Sequence, residues 1–158
     1  MAKDFIIIAP HPDDEIIGCY EKLIDKEIIP IIIYGPNTEQ KRREEALKLK
    51  DFTDIKIQLF LSNIPSQFLN TENTFMVPDP IYESHPLHRF YGAMGENMAR
   101  QGLDVMFYTT QMNAPYIREV EDSGAKKSLM NTVYFGQSSL WEYDHKYFLF
   151  EGYCKWIF

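Results

Sequence analysis

Prolines and side chains that can ligate a metal or carry a proton fill the stretch Pro10-His11-Pro12-Asp13-Asp14-Glu15. It follows the apolar run Phe5 to Ile8 and precedes a helical pattern from Ile16 to Lys26. The end of a short buried strand is where an open α/β sheet places its ligands. Pro10 and Pro12 bias Ala9 and His11 away from helix, so the loop leaves the strand extended. Asp13 or Asp14 is then placed to cap the next helix, whose amino end favours carboxylates. His11 and Asp14, three apart on that turn, can converge on one cation, which leaves Asp13 free for proton transfer.

A second constellation is His85-Pro86-Leu87-His88. Proline suits the first helical position, so this reads as another strand-to-helix turn, with two imidazoles on one face. His11, Asp14 and one histidine of this pair would offer two nitrogens, one oxygen and an open position. That composition suits catalytic zinc, one ion per chain, with other divalent metals also compatible.

The elements that must position these residues alternate along the chain. Asp4–Ile8 is an apolar β-branched run, the pattern of a strand buried on both faces; Ile28–Tyr34 reads as a second buried strand and Ile55–Leu61 as a third strand. Asp14–Lys26 and Lys41–Lys50 carry helical spacing between them. Thr74–Val77 reads as a fourth strand, Pro86–Arg100 as a helix and Leu103–Thr110 as a fifth strand. Tyr116–Val120 reads as an edge strand and Ala125–Tyr134 as a helix. The aromatic tail Tyr147–Phe158 reads as helix or edge structure. This alternation predicts a three-layer, Rossmann-like α/β fold with a mostly parallel sheet and its site at the carboxyl ends of strands 1 and 4. At 158 residues the chain is expected to form one domain, residues 1–158.

The formal net charge of -7 argues against a nucleic-acid partner, which needs basic surface to neutralise phosphates. Cys19 and Cys154 are too few for a disulfide scaffold and lack zinc-finger spacing, so they read as small core residues in a reducing compartment. The first apolar run is short and broken by Pro10, His11, Asp13 and Asp14, unlike a signal peptide. No stretch approaches the ~20 apolar residues of a membrane helix. The expectation is a cytoplasmic protein with no membrane span.

Ala-x-His-Pro-Asp-Asp-Glu followed by His-Pro-x-His resembles the LmbE/PIG-L-like family of zinc-dependent N-acetylglucosamine de-N-acetylases. Further likeness lies in Ile17-Gly18-Cys19, in Arg42-Arg43-Glu44-Glu45-Ala46, and in Lys127 followed ten residues later by Gln137. The resemblance implies that His11, Asp14 and His88 bind zinc, that Asp13 is the general base, and that His85 is the partner acid or oxyanion stabiliser. Glu15 would hold the loop. Arg42, Arg43 and Tyr82 are candidates for contacting substrate, Tyr82 as an oxyanion helper. The implied reaction is hydrolysis of an N-acetyl amide on an amino sugar or amino-sugar conjugate, a small-molecule partner. In that chemistry zinc polarises the carbonyl and lowers the pKa of its water to about 7, while the imidazole stabilises the oxyanion and protonates the amine.

The chain departs from the family at four points. Leu87 stands where aspartate is common between the two histidines, which removes a carboxylate expected behind one imidazole. Tyr20-Glu21 replaces Gly-Gly, and Tyr134 stands where histidine is usual. The chain is also shorter than typical members, between strands 3 and 4 and around the pocket rim. Leu87, Tyr134 and the short rim motivate an alternative, a degenerate member that binds metal or sugar without turnover. A metal-dependent phosphodiesterase is a further alternative, but the nuclease pattern wants lysine where Ile17 stands. His145 has no spacing partner and reads as surface or tail packing. Trp141, Tyr143 and Tyr147 read as core or dimer contacts, and a homo-oligomer is compatible with the short chain and aromatic tail.

Overall fold

Ile6 and Ile8 point to one face of a sheet and Ile7 and Ala9 to the other, and all four are buried. A strand apolar on both faces needs cover on both, and the rest of the chain supplies it. The computed structural model describes residues 3–111, 113–141 and 146–156. In chain order these form β1 (Phe5–Ala9), α1 (Asp14–Leu23), β2 (Ile31–Tyr34), α2 (Gln40–Leu47), β3 (Ile57–Phe60) and β4 (Thr74–Pro78). There follow α3 (Pro86–Arg100), β5 (Asp104–Tyr108), β6 (Arg118–Glu119), α4 (Ser123–Val133), a helical turn at Lys146–Leu149, β7 (Phe150–Glu151) and β8 (Tyr153–Cys154).

The main sheet has six strands in the order β3-β2-β1-β4-β5-β8. The first five are parallel, and β8 closes the edge antiparallel to β5. Residues of α1, α2 and α4 cover the Ile7 face, among them Ile16, Ala46 and Met130. Tyr91 and Met98 of α3 cover the Ile6 face. The protein is thus a mixed α/β structure with helices on both sides of a mostly parallel sheet, compatible with a Rossmann-like fold.

The strand order places the crevice. From β1 the chain steps outward to β2 and β3, then returns to β4 on the other side of β1. The loops leaving β1 and β4 therefore part at the carboxyl edge, where such sheets leave room for a ligand. Two glycines let this edge close up. A Cβ on Gly35 would lie 2.6 Å from the Pro10 carbonyl oxygen, so only glycine lets the β1 and β2 loops touch there. A Cβ on Gly18 would lie 2.2 Å from the Tyr108 ring, which packs against α1 at that point.

Three expectations shift in detail. β2 begins at Ile31 rather than Ile28, since Pro30 has no N–H to give a ladder. Of Tyr116–Val120 only Arg118 and Glu119 pair, and with Phe150 and Glu151 in a separate ladder, not with the main sheet. The tail supplies a helical turn and two short strands rather than a single element. Trp141 is buried and donates from Nε1 to Asn131 at 2.9 Å, while Tyr147 packs against the core. Tyr143 and His145 lie outside the described residues. Cys19 and Cys154 are free, Cys19 fully buried. Among the described residues no helix is long and apolar enough to cross a membrane.

The tail is pinned by a cation. Lys126 of α4 is fully buried and donates to the Ile17 carbonyl at 2.7 Å and to Glu151 at 3.0 Å. Glu151 also accepts from the Glu21 N–H at 2.9 Å and from the Tyr153 hydroxyl. The buried lysine is Lys126, whereas its neighbour Lys127 lies over the Phe148 ring.

Candidate metal centre

The β1 loop and the start of α3 bring three donor atoms together. His11 Nδ1, Asp14 Oδ2 and His88 Nε2 all lie within 4.8 Å of one another, and the three residues could hold a metal ion. The separations are 3.1 Å from His88 to Asp14, 3.3 Å from His88 to His11 and 3.5 Å from His11 to Asp14. Ligands on a tetrahedral ion with bonds of about 2.0–2.1 Å stand about 3.3 Å apart, so the donors already have the spacing of one coordination face. Two nitrogens and one oxygen suit zinc or a neighbouring transition metal better than calcium or magnesium, which prefer all-oxygen sites.

Local structure explains the convergence. The Asp14 carboxylate accepts from the His11 N–H at 2.8 Å, which fixes the turn and turns its oxygen toward both imidazoles. Burial opposes ionisation of Asp14, but His88 and His11 outweigh it and hold its carboxyl below the usual range. Burial likewise opposes a charge on His88, yet Asp14 and Glu83 together raise its pKa.

Asp13 occupies the capping position of α1, but its side chain makes no capping hydrogen bond. Neither Asp13 nor Asp14 caps in the expected way, because Asp14 is turned back on His11. Asp13 has φ 127°, the one non-glycine positive φ among the described residues. Such backbone costs on the order of 1–3 kcal/mol and tends to persist where function holds it. It directs the side chain into a cleft of about 420 Å³ shared with His11, Asp14, His85, His88 and Arg42. Burial, then the charges of Asp14 and Glu15, raise the Asp13 pKa well above the usual range, and Arg42 opposes them.

Glu15 is fully buried beneath this turn. It accepts from the Asp13 N–H at 3.0 Å, from Tyr34 at 3.1 Å and from the Tyr134 hydroxyl, so it clasps the strained residue from below. Burial raises its pKa to about 7 despite these donors. Tyr134, where the resembled family has histidine, is here a partner of Glu15.

His85 is exposed at the cleft rim and caps α3, its Nδ1 accepting from the Leu87 N–H at 3.1 Å. With Nδ1 an acceptor, the neutral ring carries its proton on Nε2. Desolvation and the neighbouring His11 and His88 lower its pKa, and its ring meets His11 edge-on at 4.9 Å.

The remaining candidates separate. Arg42 faces the cleft and also lines an adjoining hollow of about 330 Å³ with His11 and Leu87. Arg43 is taken up by its own loop, donating to the carbonyls of Thr38 at 3.0 Å and Pro36 at 2.5 Å and lying over Phe60. Tyr82 stacks with Trp156 at 6.1 Å and does not line the cleft.

Two acidic residues outside both motifs also shape the site. Asp79 is fully buried and accepts from the N–H groups of Ile81 and Tyr82, from Tyr116 and from Trp156, so it orders the loop that carries His85. Asp between two prolines is a turn signal that could have marked it. Glu83 is buried and faces His88 Nδ1 at 3.5 Å. Comparison with family models, with curated proteins and with solved structures found no match for this chain.

Proposed function

We propose that the protein is a zinc-dependent amidohydrolase that removes the acetyl group from an N-acetylated amino sugar or a small conjugate of one. The observation that carries the metal is the 3.1–3.5 Å spacing of His11, Asp14 and His88, drawn from two loops at adjacent strand ends. The resemblance of Ala9–Glu15 and His85–His88 to the de-N-acetylases supports the reaction and the substrate class.

Bound zinc would supply a Lewis acid for the amide carbonyl and acidify water to a pKa of about 7. Asp13, held in the same cleft but outside the donor trio, accepts the proton from the attacking water. A carboxylate at that position can take the proton from water and pass it on. His85 presents Nε2–H at the rim, where it can stabilise the oxyanion and assist departure of the amine. Arg42 is placed to hold a polar group of the substrate. Asp79 fixes the loop behind His85, and Glu15 fixes the backbone behind Asp13.

The expected result of an acetate-release screen over N-acetylated sugars, with zinc-loaded protein, is turnover of at least one of them. Treatment with a chelator should abolish it and added zinc should restore it. Turnover that survives complete removal of metal would refute the metal-dependent reading. Stoichiometric zinc without turnover of any amide would favour a binding protein that lacks the chemistry.

A further inference from the structure

We propose that Glu83 is the positioning residue of the metal centre, the carboxylate that fixes the ring of His88. This rests on the reading that the donor trio binds a metal. His88 presents Nε2 to Asp14 and His11, and its opposite nitrogen, Nδ1, points at Glu83 Oε1 at 3.5 Å. Among the described residues Nδ1 is buried and has no hydrogen-bond partner, and the Glu83 carboxylate is the acidic group that faces it at ion-pair distance. A carboxylate on that side holds the tautomer whose lone pair is on Nε2 and makes that nitrogen a better ligand.

Glu83 is itself held firmly. Its Oε1 accepts from the Thr110 N–H at 2.7 Å, and its two oxygens accept from the Thr110 hydroxyl at 3.1 and 3.0 Å. Thr110 follows β5, so the loop after β5 braces a residue ahead of α3, which in turn aims a side chain toward β1. The side chains of Glu83 and His88 are 0% and 6% exposed, so little water competes for the contact. Leu87 cannot provide a carboxylate here, and Glu83 supplies one from four residues earlier.

The test compares zinc affinity, by competition with a chromophoric chelator, in wild type and Glu83→Gln. The amide keeps the size of the side chain and an oxygen for Thr110, so the fold is expected to stand. Zinc should bind the variant about 10–100-fold more weakly. In zinc-loaded wild type the His88 Nδ1 proton should be a slowly exchanging, downfield resonance, displaced upfield or lost in the variant. A merely structural role for Glu83 would leave that resonance unmoved. If the variant does not fold, Thr110→Val, which removes the clasping hydroxyl, should weaken zinc several-fold. Unchanged affinity and an unmoved resonance in a folded variant would overturn the proposal while leaving the metal centre in place. Failure of wild type to bind zinc would overturn both.

Discussion

Asp13→Asn is expected to lower amide hydrolysis by about 10²–10⁴-fold, the usual contribution of a positioned base, while zinc stays bound. Asparagine keeps the shape of the side chain and tolerates positive φ better than most residues, so φ 127° need not relax. What it removes is the proton acceptor. His11, Asp14 and His88 keep their contacts with one another, and the asparagine amide can donate to Asp14 in place of the Asp13 carboxyl that meets it. Steady-state kinetics with metal analysis on the same samples checks both halves. Turnover within a few-fold of wild type would remove Asp13 from its role.

The same substitution should stabilise the metal-free protein. The Asp13 pKa is raised in the fold, by burial and then by Asp14 and Glu15, so its ionised form opposes folding. A raised carboxyl pKa costs stability above the unfolded value near 4 and costs nothing well below it. The gain from asparagine, on the order of 1 kcal/mol for each tenfold loss of acidity, should therefore appear at neutral pH and vanish in acid. Urea titrations in chelator at several pH values measure it.

Lys126→Met is expected to cost about 3–5 kcal/mol of stability, the effect of leaving one charge of a buried pair alone. Both side chains of the pair are 0% exposed, and Lys126 also holds the Ile17 carbonyl next to the candidate site. Burial, the first influence on Glu151, raises its pKa, and Lys126 is the leading influence that lowers it. Without the lysine the carboxyl takes a proton more readily folded than unfolded. The deficit relative to wild type should then shrink as pH falls from about 8 to about 5, since the folded state binds the extra proton. The double variant Lys126→Met/Glu151→Gln should recover part of the loss, because neutral groups replace both charges. Chemical denaturation of the three proteins decides it, and a single variant as stable as wild type would contradict the pinning role.

The strands and helices that build the crevice were legible because each carries a strong local signal. Ile6 to Ile8 and Ile31 to Ile33 are β-branched runs, and Pro86 opens α3 as a first-turn proline should. His11 and Asp14 were legible on the turn after β1, and the later pair offered one further nitrogen, but the choice of His88 over His85 came only from the resemblance to the de-N-acetylases. Other features depend on partners far along the chain. Glu83 takes its meaning from Thr110, 27 residues later, and Asp79 from Trp156, 77 residues later. No local pattern announces either pairing.

Lys126 shares a stripe with buried Met130 and Val133, so its turn toward the core was present in the sequence. The positive φ of Asp13 was not, since aspartate at a helix start is ordinarily an extended cap and here the pull of Asp14 and Glu15 on neighbouring N–H groups overrides it.

Metal content of the purified protein, wild type beside His88→Ala, is the most direct measurement of whether the two distant loops form one metal centre. About one zinc per wild-type chain, mostly lost in the folded variant, is the predicted result. Absence of zinc from both folded proteins, even after incubation with it, would show that the cluster of His11, Asp14 and His88 is not a metal site.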